Sequence, residues 1–273
     1  MLDFEYRCPR DLDVPQVWAN EGELDSFFYR LVETAVNQSF LPSILSAPAD
    51  YLSGLPDNSD LLVSDGVTST GPWVITLENF LSGLECEHLI ELGRKTGYRR
   101  SKDVGPANFD GSYGSSQSNR RTSTNAWCSG DCFTDPVVQT ISNRLEAFLG
   151  IPTNNSEYWQ ILQYEEGQQY MEHHDYIEYQ RDRNVGVRIL TVFFYLNDVE
   201  GGGATQFPSL GNLTVTPTTG RVLIWPNVLD SDPNGKDVRT KHRALPVEVG
   251  IKYGANAWIH QSDFRTPHHN KCA

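Results

Sequence analysis

The sequence predicts an α+β chain, with helices first and an antiparallel sandwich or barrel in the C-terminal half. Two observations carry this. Before about residue 150 the periodic apolar segments are mainly helical, whereas after residue 157 the apolar residues gather in short runs rich in β-branched and aromatic side chains, divided by turns. No internal repeat breaks that order. With 273 residues, 38% of them apolar, the chain has ample material for one large domain with a core of its own.

Taken in order, residues 1–70 read as an N-terminal elaboration and residues 71–273 as the main domain. Met1 to Arg7 lacks the apolar centre of a signal peptide. Leu24, Phe27, Phe28, Leu31, Val32 and Ala35 give Glu23–Phe40 a helical pattern, and Pro42, Pro48 and Pro56 mark a loop-rich connector after it. Pro72–Leu77 reads as a strand. Ser82 and Glu85 form an S-x-x-E capping box for a helix stopped at Gly97. Ser101–Arg121 is rich in Gly, Ser and Asn without periodicity, a long loop of the kind that is often functional. Asp135-Pro136 is an N-cap followed by proline at the first helical position, and Gly150-Ile151-Pro152 ends that helix. Strands are expected at Tyr158–Tyr164, Arg188–Leu196, Leu213–Val215, Arg221–Trp225, Ala244–Val249 and Tyr253–His260.

Charge and composition narrow the function. A net charge of −13 speaks against a nucleic-acid surface, which needs a basic stripe, though it leaves room for a local basic pocket; for a substrate it favours a basic one. No stretch approaches the ~18 apolar residues of a membrane-spanning helix. Five cysteines are too few for a disulfide scaffold in so long a chain, but Cys128 can pair with Cys132 across a turn, and Cys8 with Cys272. Three N-x-S/T sequons, at Asn37, Asn154 and Asn212, favour a secretory route.

The chemistry centres on Tyr170-Met171-Glu172-His173-His174-Asp175. In an extended segment residues i and i+2 share a face, so His173 and Asp175 can converge while His174 points away. One imidazole and one carboxylate, joined by a second imidazole, make the facial triad that suits non-haem Fe(II). His242 is the candidate for the second imidazole. Ten residues later Lys252 sits in a strand that otherwise reads as core, where a fixed ammonium can meet the carboxylate of a bound cosubstrate.

This set resembles the prolyl 4-hydroxylase family of Fe(II)/2-oxoglutarate-dependent dioxygenases. Tyr164-Glu165-Glu166-Gly167-Gln168-Gln169-Tyr170 ahead of the H-x-D is similar to that family's Y-x-x-G-Q-x-Y signature. Gly202-Gly203-Ala204-Thr205-Gln206-Phe207-Pro208, Trp258-Ile259-His260 and Arg121-Thr122-Ser123-Thr124 resemble further family segments, over about residues 72–264. The resemblance implies a double-stranded β-helix (jelly-roll) core with flanking N-terminal helices. It implies Fe(II) on His173, Asp175 and His242; 2-oxoglutarate with its distal carboxylate on Lys252, Tyr164 and Thr205; O₂ as co-reactant; and ascorbate as reductant. Tyr170, Arg188, Trp258 and His260, and more loosely Glu157, match substrate-side positions, where a proline-rich peptide or protein would bind beneath a lid formed by residues 101–121. The implied reaction is 4-hydroxylation of peptidyl proline in the endoplasmic reticulum or Golgi lumen, with oligomeric state left open. Two departures stand out: His174 where an aromatic residue is commoner, and Ala204 where glutamate is. A lysyl or small-molecule hydroxylase of the same fold, a silent peptide-binding module, and a cupin using another metal are the alternative readings.

Overall fold

The computed structural model describes residues 6–11, 13–38, 40–54, 62–68, 71–107 and 113–273. Two sheets form its centre. The larger has nine strands, in the order Leu62–Thr68, Pro42–Ser46, Val74–Leu77, Val222–Pro226, Arg188–Tyr195, Lys252–His260, Trp159–Tyr164, Thr124–Cys128, Arg99–Arg100. The smaller has four: Leu213–Val215, Thr205–Phe207, His242–Ala244 and Tyr170–His173. From Trp159 onward the chain passes back and forth between them in antiparallel pairs, which is a jelly roll.

Why the larger sheet reads as an unbroken apolar run follows from what covers it. All eight residues of Arg188–Tyr195 are buried. Leu190, Val192 and Phe194 join the cluster that includes the helices, and Phe193 and Tyr195 join a second cluster inside the roll with Leu223 and Trp225. A strand buried on both faces loses the polar alternation that a half-exposed strand shows.

Three helices cover the outer face. In Glu23–Asn37 the six apolar residues expected from periodicity are all buried. Gly83–Thr96 carries the reciprocal capping box: the Ser82 hydroxyl accepts from the Glu85 amide at 3.3 Å, and the Glu85 carboxylate accepts from the Ser82 amide at 2.8 Å. Pro136–Leu149 starts with the Asp135 carboxylate accepting from the Val137 amide at 2.9 Å and ends at Gly150 in the left-handed region.

Several expectations need correction. The connector after the first helix is not all loop: Pro42–Ser46 pairs antiparallel with Val74–Leu77 and parallel with Leu62–Thr68, extending the large sheet. Ser101–Arg121 contains a hairpin, Asp103–Ala107 with Tyr113–Ser116, whose tip lies outside the described residues. Nothing in its side-chain pattern shows this, because the pairing depends on close backbones: a Cβ on Gly105 would come within 2.9 Å of the Gly114 backbone. Ala244–Val249 is two strands in two sheets, His242–Ala244 and Val247–Val249, parted at Leu245-Pro246, where proline supplies no amide to a ladder. Cys8 pairs with Cys272 and Cys128 with Cys132; Cys86 is free and buried. Among the described residues no helix is long and apolar enough to cross a membrane.

Candidate active site

His173 ends one strand of the smaller sheet and faces His242 directly across the antiparallel pair. Asp175 follows in the bend beyond that strand. Nε2 of His173 lies 3.7 Å from one Asp175 oxygen, and Nε2 of His242 lies 3.7 Å from the other. The three offer ligand atoms all within 4.8 Å of one another. Each Nδ1–H points at a backbone carbonyl two residues upstream, Met171 at 2.9 Å and Thr240 at 3.0 Å, so both Nε2 lone pairs turn inward. Burial, and then the neighbouring His242, hold the His173 pKa well below its ordinary value, keeping the imidazole neutral as a ligand must be. Burial opposes ionisation of Asp175, but His242, His173 and Arg188 outweigh it and hold its carboxyl well below the usual range. The donor set, two imidazoles and one carboxylate on one side of a point, fits a non-haem Fe(II) ion.

His174 does not contribute. Its Nδ1 accepts from the Tyr176 amide at 2.8 Å and its Nε2 reaches the Asp237 carbonyl at 2.8 Å, away from the triad. Ala204 is buried, and its carbonyl accepts from the Leu245 amide at 2.8 Å.

A narrow cavity runs inward from the triad to Lys252, Tyr164 and Thr205. Lys252 sits opposite Tyr164 in the sheet register and is only 1% exposed. Among the described residues no carboxylate meets its ammonium; its hydrogen bond goes to the Gly203 carbonyl at 2.6 Å, and Tyr164, Phe193 and Tyr195 rings surround it at 5.2–5.4 Å. The Gly202-Gly203 turn makes that bond: Gly202 has φ 71°, and a Cβ there would lie 2.3 Å from the Pro246 carbonyl. Burial alone pushes the Lys252 pKa down to about 7. The Tyr195 hydroxyl donates to Thr205 at 2.8 Å, which frees the Thr205 hydrogen for another acceptor. A buried cation lacking an anion, with a hydroxyl beside it, fits the far carboxylate of a dicarboxylate such as 2-oxoglutarate.

On the outer side of the triad stands a second polar group. The Arg188 Nε–H donates to Glu157 at 2.5 Å, the guanidinium lies 3.8 Å over the Trp258 ring, and His260 Nε2 meets the same Glu157 oxygen at 2.9 Å. Burial works against the Glu157 carboxylate, but Arg188 and His260 bring its pKa down to about 2. His260 is completely buried, with its other nitrogen on the Gly186 carbonyl, so it reaches the cavity only through Glu157. Tyr170 stacks on the His173 ring at 3.5 Å, and the Arg121 guanidinium covers its other side at 4.6 Å.

Thr191 and Asn227 escaped the sequence reading. The Thr191 hydroxyl donates to Asp175 at 2.8 Å and accepts from the Asn227 amide at 2.9 Å. Threonine in a strand reads as an ordinary β-branched residue, so neither position carries a local signal.

The fold and this site define a class, the 2OG-Fe(II) oxygenase superfamily, whose family model matches residues 159–260. The chain is 33% identical over 258 residues to the probable prolyl 4-hydroxylase 7 of Arabidopsis thaliana, covering 82% of this chain and 78% of that protein. It is 38% identical over 154 residues to the prolyl 4-hydroxylase subunit alpha-1 of Rattus norvegicus, covering 54% of this chain; it spans only 28% of that subunit's length. Among solved structures, the viral collagen prolyl hydroxylase of Paramecium Bursaria Chlorella virus-1 with 2OG superposes with a TM-score of 0.54 at 27% identity, covering 70% of this chain and 97% of that one. The chain belongs to the prolyl 4-hydroxylase family.

Proposed function

We propose that the protein hydroxylates prolyl residues of peptides at the 4-position, coupled to oxidative decarboxylation of 2-oxoglutarate to succinate and CO₂. The observation that carries this reading is a counter-ion-free Lys252 at one end of a cavity whose other end is His173, Asp175 and His242. Those three would hold Fe(II), which supplies O₂ activation when bound, with ascorbate as reductant. Lys252, aided by the hydroxyls of Tyr164 and Thr205, would take the distal carboxylate of 2-oxoglutarate. Tyr170, Trp258 and Arg188 would line the peptide's path over the metal; Glu157 and His260 would fix the Arg188 guanidinium. The 103–116 hairpin, whose Asp103, Val104 and Gly105 line the mouth, would cover the bound chain. Residues 1–70 would buttress residues 71–273, and the two disulfides agree with an oxidising secretory compartment.

Succinate release tests the reading. Proline-rich peptides should sustain turnover, lysyl peptides and free proline should not, and His173→Ala should abolish it. Turnover with lysyl peptides alone would replace the proline assignment.

A further inference from the structure

A groove of about 820 Å³ leads away from the metal mouth and shares Lys102, Asp103, Trp127 and Arg188 with it. Its charge is the reverse of the chain's. Arg99, Arg100 and Lys102 all line it, in a chain with 35 acidic against 22 basic residues. Among the described residues none of these three cations pairs with a carboxylate: the Arg100 guanidinium donates to the Ser118 carbonyl at 3.2 Å, and the exposed Arg99 and Lys102 side chains make no ion pair. The acidic groups of the same groove are largely committed. Glu157 is held by Arg188 and His260. Asp103 accepts from the Ser118 hydroxyl at 2.6 Å. Trp127, 41% exposed and 6.1 Å from Trp258, and Tyr158 supply apolar faces along the same groove.

We propose that this groove selects proline peptides that carry aspartate or glutamate within a few residues of the target proline, by meeting those carboxylates with Arg99, Arg100 and Lys102. This rests on the peptidyl-proline reading and deepens it; it also reverses the preference for a basic substrate that the net charge suggests. Overall charge acts over the whole surface and is screened within about 8 Å at physiological salt, so a local cluster decides what a groove prefers. Lys102 lies at the junction of the groove and the mouth, which keeps the acidic residues close to the reacting proline.

The test uses three fluorescent proline-rich peptides that differ only in Glu, Gln or Lys flanking positions, with binding read by anisotropy and turnover by succinate release. Binding should rank Glu over Gln over Lys, with Glu and Lys about tenfold apart, roughly the sum of a few exposed pairs, and the spread should shrink in 0.5 M NaCl. The R99E/K102E variant should invert the order. Equal binding of the three peptides, or an unchanged order in the variant, overturns the proposal. The ranking is read from binding, so it decides the charge preference even if no peptide turns over; absence of turnover counts against the proline reading alone.

Discussion

At the scale of single residues, Lys252 is the most exposed to test. Its folded pKa near 7 lies below the ordinary 10.5, so between those values the unfolded chain binds the extra proton. Stability therefore rises with pH across that window, and the buried ammonium is a liability below it. A bound carboxylate favours the charged form, so binding above pH 7 must take up a proton. The affinity for 2-oxoglutarate should fall from pH 7 to pH 9, approaching tenfold per unit, as measured by calorimetry. A flat profile would show that Lys252 does not meet the cosubstrate. Lys252→Ala should raise the KM for 2-oxoglutarate by roughly 10- to 100-fold, the worth of a charge-assisted hydrogen bond. Thr191→Val removes the hydroxyl behind Asp175 and should weaken Fe(II) binding by about tenfold, seen in a metal titration. The triad and Lys252 were legible because their residue types are rare in a strand-rich core. Thr191, Asn227 and Tyr195 were not, since each looks like ordinary strand or loop material until the partner atoms are in place.

At the scale of elements, two bulges explain what spacing alone hid. Arg188 faces His260, yet Leu190 faces Ile259, so Arg188–Tyr195 carries one extra residue there. The extra residue turns Arg188 to the same side as Thr191, beside the metal mouth, and sends Ile189 and Leu190 together into the outer core. The second lies where His242 faces His173 while Ala244 faces Tyr170. It brings Tyr170 onto the face of His173, three residues away, against the twofold repeat of a strand. Sequence periodicity assumes an unbroken pleat, so neither placement could be read from it. The capped helices, in contrast, follow from local chemistry, and their buried faces were legible residue by residue. Phe28 is fully buried in the first helix and stacks on Trp73 at 5.3 Å. Phe28→Ala should cost about 3–5 kcal/mol in urea unfolding while leaving the KM for 2-oxoglutarate unchanged at low temperature. A loss of only a few tenths would count against residues 1–70 as a buttress.

At the scale of the whole molecule, the jelly roll gives one strand to both halves of the site. Lys252 and His260 share a face of Lys252–His260, eight residues and roughly 26 Å apart, so the inner cavity and the outer polar group are set by a single rigid element. Around this frame the Cys8–Cys272 bridge, with Cα atoms 5.6 Å apart, closes a separation of 264 residues. In the chain-entropy account such a loop is worth up to about 5 kcal/mol, while the four-residue Cys128–Cys132 separation is worth far less. Cys272→Ser should therefore lower the melting temperature clearly more than Cys132→Ser in calorimetry. The bridge also makes the backbone a ring. A protease that nicks the molecule once, at any exposed turn between those cysteines, leaves both fragments tethered, so they part only on a reducing gel.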